Sequence, residues 1–267
     1  MWAQPGVRPD FAVRLRAVQL AAPELVVSHR AAAWAWRIEL LSVEAEFTDL
    51  GRVRQRKGVR VHRGALGAEE VVEMASFGGL RVTGADRTLA DLLFCGPRDE
   101  ALVAVDSALS YRTVTVGERR VRRAPLTRLD ALAAALSSRS RGLDRARAWL
   151  TLADPACGSP AETVAPLRMH DAGLHPETQG ELITHGGRLL RPDFLFRAQG
   201  VAVEIEGYAY HGRREDHRRD VARFNEFQQC AEVRITLRFT AEEVFHSPTT
   251  MINTVRRALG TADRRWA

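Results

Sequence analysis

The chain has 267 residues, of which 45% are hydrophobic and 27% charged, and its formal net charge is +6. That balance excludes a disordered polymer, and no apolar run has the length of a membrane span. No signal peptide opens the chain, and Cys95, Cys157 and Cys230 lie too far apart for a disulfide framework or zinc site, so a cytoplasmic protein is expected.

Apolar spacing predicts a helix over residues 11–22, and Ser28-His29-Arg30 opens a second helix through Trp34 and Trp36. Two positions apart, those tryptophans cannot share one helix face, so at least one belongs to a core. Residues 43–48 and 58–63 alternate as strands, with the basic run Arg52-Val53-Arg54-Gln55-Arg56-Lys57 between them. Thr83 stands near the N-cap of a helix over 86–94, which Gly96-Pro97 stops before another helix reaching Leu109. Arg119 to Arg123 is an arginine-rich stretch, followed by a helix over about 126–136, a linker at 137–142 and a helix over 143–152 that bridges two halves.

A boundary follows at Asp154-Pro155 and Ser159-Pro160. Ser159 caps a helix over 160–170 with Glu162 in its first turn, and Gly173 ends it. Strands are expected at 177–184, 188–196 and 201–206, a polar helix at 214–229, a strand at 233–239 and a closing amphipathic helix at 248–259. Charge divides along the same line. Residues 1–150 carry 24 basic and 17 acidic groups, and residues 151–267 carry 15 and 16. A basic first half beside an acid-bearing second half suits a nucleic-acid grip joined to a metal site; a solvated basic surface would read the same.

The most informative stretch is Arg191-Pro192-Asp193-Phe194, then Glu204-Ile205-Glu206-Gly207 and His211. Phe194-Leu195-Phe196 and Val201-Ala202-Val203 read as buried strands joined at Gln199-Gly200. Asp193 then begins one strand, and Glu204 and Glu206 point to one side of the other. Unpaired acids in a buried hairpin are costly, and a hard cation with oxygen ligands removes that cost. Salt bridges from Arg191 or Arg188 would also remove it.

Over roughly the last 110 residues the ordered pieces Ser159-Pro160-Ala161-Glu162, Ala172-Gly173-Leu174-His175-Pro176, Gln179, Arg191-Pro192-Asp193-Phe194, Glu204-Ile205-Glu206-Gly207, His211, Arg219-Asp220, Arg223, Asn225 and Leu237-Arg238-Phe239-Thr240 resemble the very-short-patch-repair-like (Vsr-like) branch of the PD-(D/E)XK nucleases. Ser28-His29-Arg30-Ala31-Ala32 and Val82 through Asp91 resemble the AbiEi-antitoxin-like region that precedes such domains, here without its usual winged helix. The resemblance implies an α/β chain. Residues 1–140 would form an α+β basic region that contacts nucleic acid, 141–158 a linker helix, and 159–267 a restriction-endonuclease-like mixed sheet flanked by helices.

It further implies a magnesium- or manganese-dependent DNA endonuclease or nickase, in repair or defence, with Asp193 and Glu204 as metal ligands. Glu206, where the family commonly has Asp, is a third ligand or a water-positioning base; Glu162 approaches from its helix. The family's lysine has no counterpart here, because Lys57 is the only lysine of the chain. His211 takes over its proton handling. Arg219 and Arg223 brace phosphate, Tyr210 stacks on a base, and Arg52, Arg54, Arg56 and Lys57 track the backbone of DNA. The structural alternatives are a strand-end hydrogen bond for His211, core packing for Tyr208 or Tyr210, a surface place for His217 and a helix-orienting role for Asp220 and Asn225. A non-catalytic, antitoxin-like DNA-binding regulator and an RNA nuclease are the competing functions. A homodimer is a further expectation.

Overall fold

The computed structural model describes residues 10–49, 58–137, 141–206 and 225–264. It is an α/β structure of helices with mixed parallel and antiparallel sheets, and it divides into two compact units, Met1–Pro155 and Ala156–Ala267.

In the first unit, α1 (Phe11–Ala21) leads into β1 (Leu25–Val27) and α2 (His29–Ala35), followed by β2 (Glu46–Asp49), β3 (Arg60–Arg63), β4 (Val71–Met74) and β5 (Leu80–Thr83). The five strands form one sheet in the order β3-β2-β1-β5-β4. Its core sets Leu15, Leu25, Val27, Phe47 and Val82 against Ala31, Ala32 and Ala35 of α2. The run of alanines lets the helix backbone approach the sheet closely. Trp34 packs on Phe11 and Phe77, while the Trp36 indole donates to the Thr83 carbonyl at 2.8 Å, so both tryptophans serve the interior.

Next come α3 (Ala85–Cys95), α4 (Arg98–Leu109), the hairpin β6 (Arg112–Val116) and β7 (Arg119–Arg123), α5 (Leu129–Leu136) and α6 (Leu143–Leu150). Leu89, Leu93, Val105, Leu132, Leu136 and Ala146 form a second core from the four helices. Helix α6, expected as a bridge between halves, instead packs inside this first core. Its Ala146 is fully buried, which a free linker would not require.

In the second unit, α7 (Pro160–Asp171) precedes β8 (Glu177–Thr178), β9 (Leu182–Ile183), β10 (Leu189–Leu190), β11 (Phe194–Phe196), β12 (Val201–Glu206), β13 (Ile235–Thr240), α8 (Ala241–His246) and α9 (Pro248–Arg264). The main sheet has the order β13-β12-β11-β8. Strand β12 runs antiparallel to β11 and parallel to β13. The strand expected over 177–184 breaks into β8 and β9, and that over 188–196 into β10 and β11, because β9 and β10 leave to pair with each other. Of the polar helix expected over 214–229, the described part is helical at 225–227.

Candidate functional site

The hairpin β11–β12 is built at its closed end by Gly200. That residue sits at φ +65°, and a Cβ there would lie 2.5 Å from the Glu232 carbonyl oxygen. Only glycine fits both constraints. Its own carbonyl accepts the amides of Arg234 at 2.8 Å and Ile235 at 3.2 Å, which docks β13 alongside β12. At the same end Arg197 clamps Glu177 at 2.8 Å and Glu232 at 2.7 Å.

The open end carries the acids. The ladder pairs Phe194 with Val203, so the next step outward sets Asp193 opposite Glu204. Asp193 Oδ2 accepts the Ile205 amide at 2.7 Å, and the Asp193 amide donates to Glu204 Oε1 at 3.3 Å. Gln179 completes the mounting. Its side chain donates to Asp193 Oδ1 at 3.2 Å, and its amide donates to the Asp193 carbonyl at 3.0 Å. Gln179 reaches both by adopting φ +50°, an uncommon backbone state for a residue with a side chain. Asp193 and Glu204 are both half-buried.

Glu206 follows two residues after Glu204 on the same side of β12, and its Oε1 pairs with Arg238 at 2.9 Å. Strand β13 brings that arginine into register opposite Glu204. The arginines expected to neutralise the hairpin have other acids in reach: Arg191 meets Glu181 at 2.5 Å, and Arg188 meets Glu226. Glu162 caps its own helix. Its amide donates to Ser159 Oγ at 3.3 Å, and its carboxylate accepts the Gly158 amide at 2.7 Å.

Two adjacent carboxylates at a half-buried strand end are the donor type suited to a magnesium ion, which keeps most of its waters and takes one or two protein carboxylates. Among the described residues, no group of three or more His, Cys, Asp or Glu side chains is assembled to hold a metal. The structure thus brings Asp193 and Glu204 together, sets Glu206 on Arg238 and engages Glu162 as a cap. His211, Tyr210, Arg219, Arg223, Arg52, Arg54, Arg56 and Lys57 lie outside the described residues, as do Tyr208, His217 and Asp220. Gln179 and Arg238 were legible as motif pieces but carried no role in the sequence; the cross-strand register supplies one for each.

The first unit holds a different charged cluster, which the sequence did not signal. Arg30 reaches Glu100 at 2.8 Å, Glu44 at 3.1 Å and Glu46 at 3.6 Å. Glu46 also accepts the Arg30 amide at 2.9 Å and meets His62 Nε2 at 3.2 Å. The His62 ring stacks on His29 with centroids 3.6 Å apart. Burial alone would raise the Glu46 pKa, but the His62 hydrogen bond, the Arg30 amide and the nearby positive charges outweigh it and hold the carboxyl below its usual range. Burial likewise opposes the charge on Arg30, and its carboxylate partners more than offset this.

No family model and no solved structure matches the chain. Two proteins from different strains of Mycobacterium tuberculosis, described as uncharacterized proteins MT2308 and Rv2248, are each 36% identical to it over 90 residues. The match spans 33% of this chain and 33% of each relative, so the chain covers about a third of the length of the proteins it is similar to.

Proposed function

We propose that this chain is a metal-dependent DNA endonuclease or nickase, a phosphodiester hydrolase of repair or defence whose second unit is a Vsr-like PD-(D/E)XK domain. The observation that carries this reading is the cross-strand placement of Asp193 and Glu204 at the open end of a hairpin, each tied to a backbone amide of the opposite strand.

A bound magnesium or manganese ion would supply positive charge against the phosphodiester and acidify a bound water. Asp193 and Glu204 would hold that ion, with Gln179 and the Ile205 amide keeping the Asp193 carboxylate in one orientation. Glu206 would add a ligand or position the water on releasing Arg238, whose guanidinium would then face the phosphate. In this reading His211 relays the proton, Arg219 and Arg223 brace the phosphate, and Tyr210 stacks on a base. The basic run containing Arg52, Arg54, Arg56 and Lys57 follows the DNA backbone.

Supercoiled plasmid incubated with the full chain in magnesium or manganese should be nicked. Asp193→Asn and Glu204→Gln should each slow nicking at least about a hundredfold. A wild type that leaves the plasmid intact, or variants that nick as fast as wild type, would end this reading.

One observation favours a second reading, a non-catalytic regulator on a nuclease scaffold: Glu206 is paired with Arg238, and no third described acid joins Asp193 and Glu204. Sequence-specific DNA binding in EDTA, unchanged by Asp193→Asn and accompanied by no nicking, would support it instead. Competition between DNA and RNA of one sequence tests the RNA nuclease.

A further inference from the structure

The strands β6 and β7 form a separate two-stranded ribbon, pairing Arg112 with Arg123 through to Val116 with Arg119. Gly117 at φ +63° makes the two-residue turn at its tip. Strand alternation sorts the ribbon into two faces. One holds Arg112, Val114, Val116, Arg119, Val121 and Arg123. The other holds Thr113, Thr115, Arg120 and Arg122, all exposed, with Tyr111 just beyond the strand.

The arginines divide by task as well. Arg112 is buried against Glu39 at 3.2 Å, and Arg123 donates to the Ser107 carbonyl at 2.5 Å, so these two root the ribbon in its unit. Arg37 adds a third anchor by donating to the Thr115 carbonyl at 2.6 Å. Arg120 and Arg122 take no part in this anchoring, and among the described residues neither forms a salt bridge with an acid. The guanidinium of Arg122 lies 4.3 Å from the centre of the Tyr111 ring, and Tyr111 is 58% exposed.

We propose that this face of the ribbon is a docking surface for duplex DNA, with Arg120 and Arg122 on the phosphates, Thr113 and Thr115 donating beside them, and Tyr111 holding the Arg122 guanidinium flat. The ribbon is about 17 Å long, at 3.4 Å per residue. A two-stranded ribbon fits the B-form major groove, about 12 Å wide, whereas the A-form major groove of RNA is too narrow for it. The surface belongs to the first unit and stands apart from the hydrolytic reading, since grip and cleavage are separate properties.

Binding of the full chain to a duplex DNA oligonucleotide, measured in EDTA across a salt series, tests the grip without cleavage. Removing two phosphate contacts should lower the log–log salt slope by about two and weaken binding on the order of ten- to a hundredfold near 0.1 M salt. Arg120→Ala with Arg122→Ala should show that loss, and Arg120→Lys with Arg122→Lys should retain the slope. Arg14→Ala with Arg128→Ala removes the same charge elsewhere and should leave the slope unchanged. An unchanged slope in the first pair, an equal loss in the control pair, or preferred binding of the RNA duplex through the same arginines would overturn the proposal. A protein that grips DNA in EDTA through this face but never nicks it would refute hydrolysis alone.

Discussion

The two units handle buried charge in opposite ways. In the first, Arg30, Glu46 and Glu100 are nearly sealed off, with side-chain exposures of 11%, 3% and 6%, and of the carboxylates around Arg30 only Glu44 reaches solvent. Each charge faces an opposite charge, and the arrangement ties α2 to β2 and α4. In the second, Asp193 and Glu204 are half-buried neighbours of like sign, each bonded to a backbone amide of the opposite strand. A sealed, mutually neutralising cluster holds a fold together. Acids gathered at an open strand end keep their like charges side by side, which is what the proposed cation would offset. Surface accessibility and the sign of the neighbours, more than residue type, separate the two groups of acids.

The sharpest way to break that contrast is to remove one member from each region. Arg30→Met leaves Glu100 buried without the guanidinium that bonds it and takes one of several partners from Glu46, and should cost about 3–5 kcal/mol in chemical denaturation. Asp193→Asn should shift stability by no more than about 1 kcal/mol while abolishing nicking. Equal destabilisation by the two would erase the distinction. Next in size is Gly200→Ala, which meets the Glu232 carbonyl in a left-handed backbone and should cost about 1–3 kcal/mol. Gly117→Ala has the same backbone strain but open space around it, so its thermal shift should be the smaller.

Acid sharpens the contrast further. Because the folded-state pKa of Glu46 is lowered, its contribution is fully present above the unfolded value of about 4.3 and fades as pH falls through and below that value. His29, His62, Arg30 and Arg60 face it, so protonating Glu46 removes the carboxylate that the Arg30 and Arg60 guanidiniums share. Thermal melts from pH 5 down to pH 3 should fall more steeply for wild type than for Glu46→Gln. Parallel curves would show that the cluster is not the acid-labile point.

The sequence exposed the open-end acids far better than the sealed cluster, for a physical reason. The hairpin is local: two apolar runs, a Gln-Gly turn and period-two alternation set Asp193 at the start of one strand and Glu204 near the end of the next, eleven residues apart, and the ladder then pairs them. Ser159 before Pro160 and Gly173 after the helix were readable in the same way, as caps within one turn. The cluster joins Arg30 to Glu100, separated by 70 positions, and depends on a sheet order no local pattern encodes. Ser28 illustrates the limit. It stands at the N-cap of α2 as expected, yet its hydroxyl makes no cap bond and meets His29 Nδ1 at 2.9 Å instead. Strand β1 is three buried residues, too short to show a period.

The smallest expected change in stability bears most directly on the open end. The Glu206–Arg238 pair is 36% and 32% exposed, so Arg238→Ala should cost no more than about 1 kcal/mol. Its effect on metal binding is the informative part. If Glu206 joins Asp193 and Glu204 around a cation, Arg238 competes for it, and Arg238→Ala should tighten manganese binding measured by calorimetry while impairing turnover through loss of phosphate bracing. If the acids are a relic on a DNA-binding scaffold, manganese affinity will be weak in both proteins and indifferent to the substitution. The sign of that one shift separates an acid held in reserve for a metal from an acid held in place by an arginine.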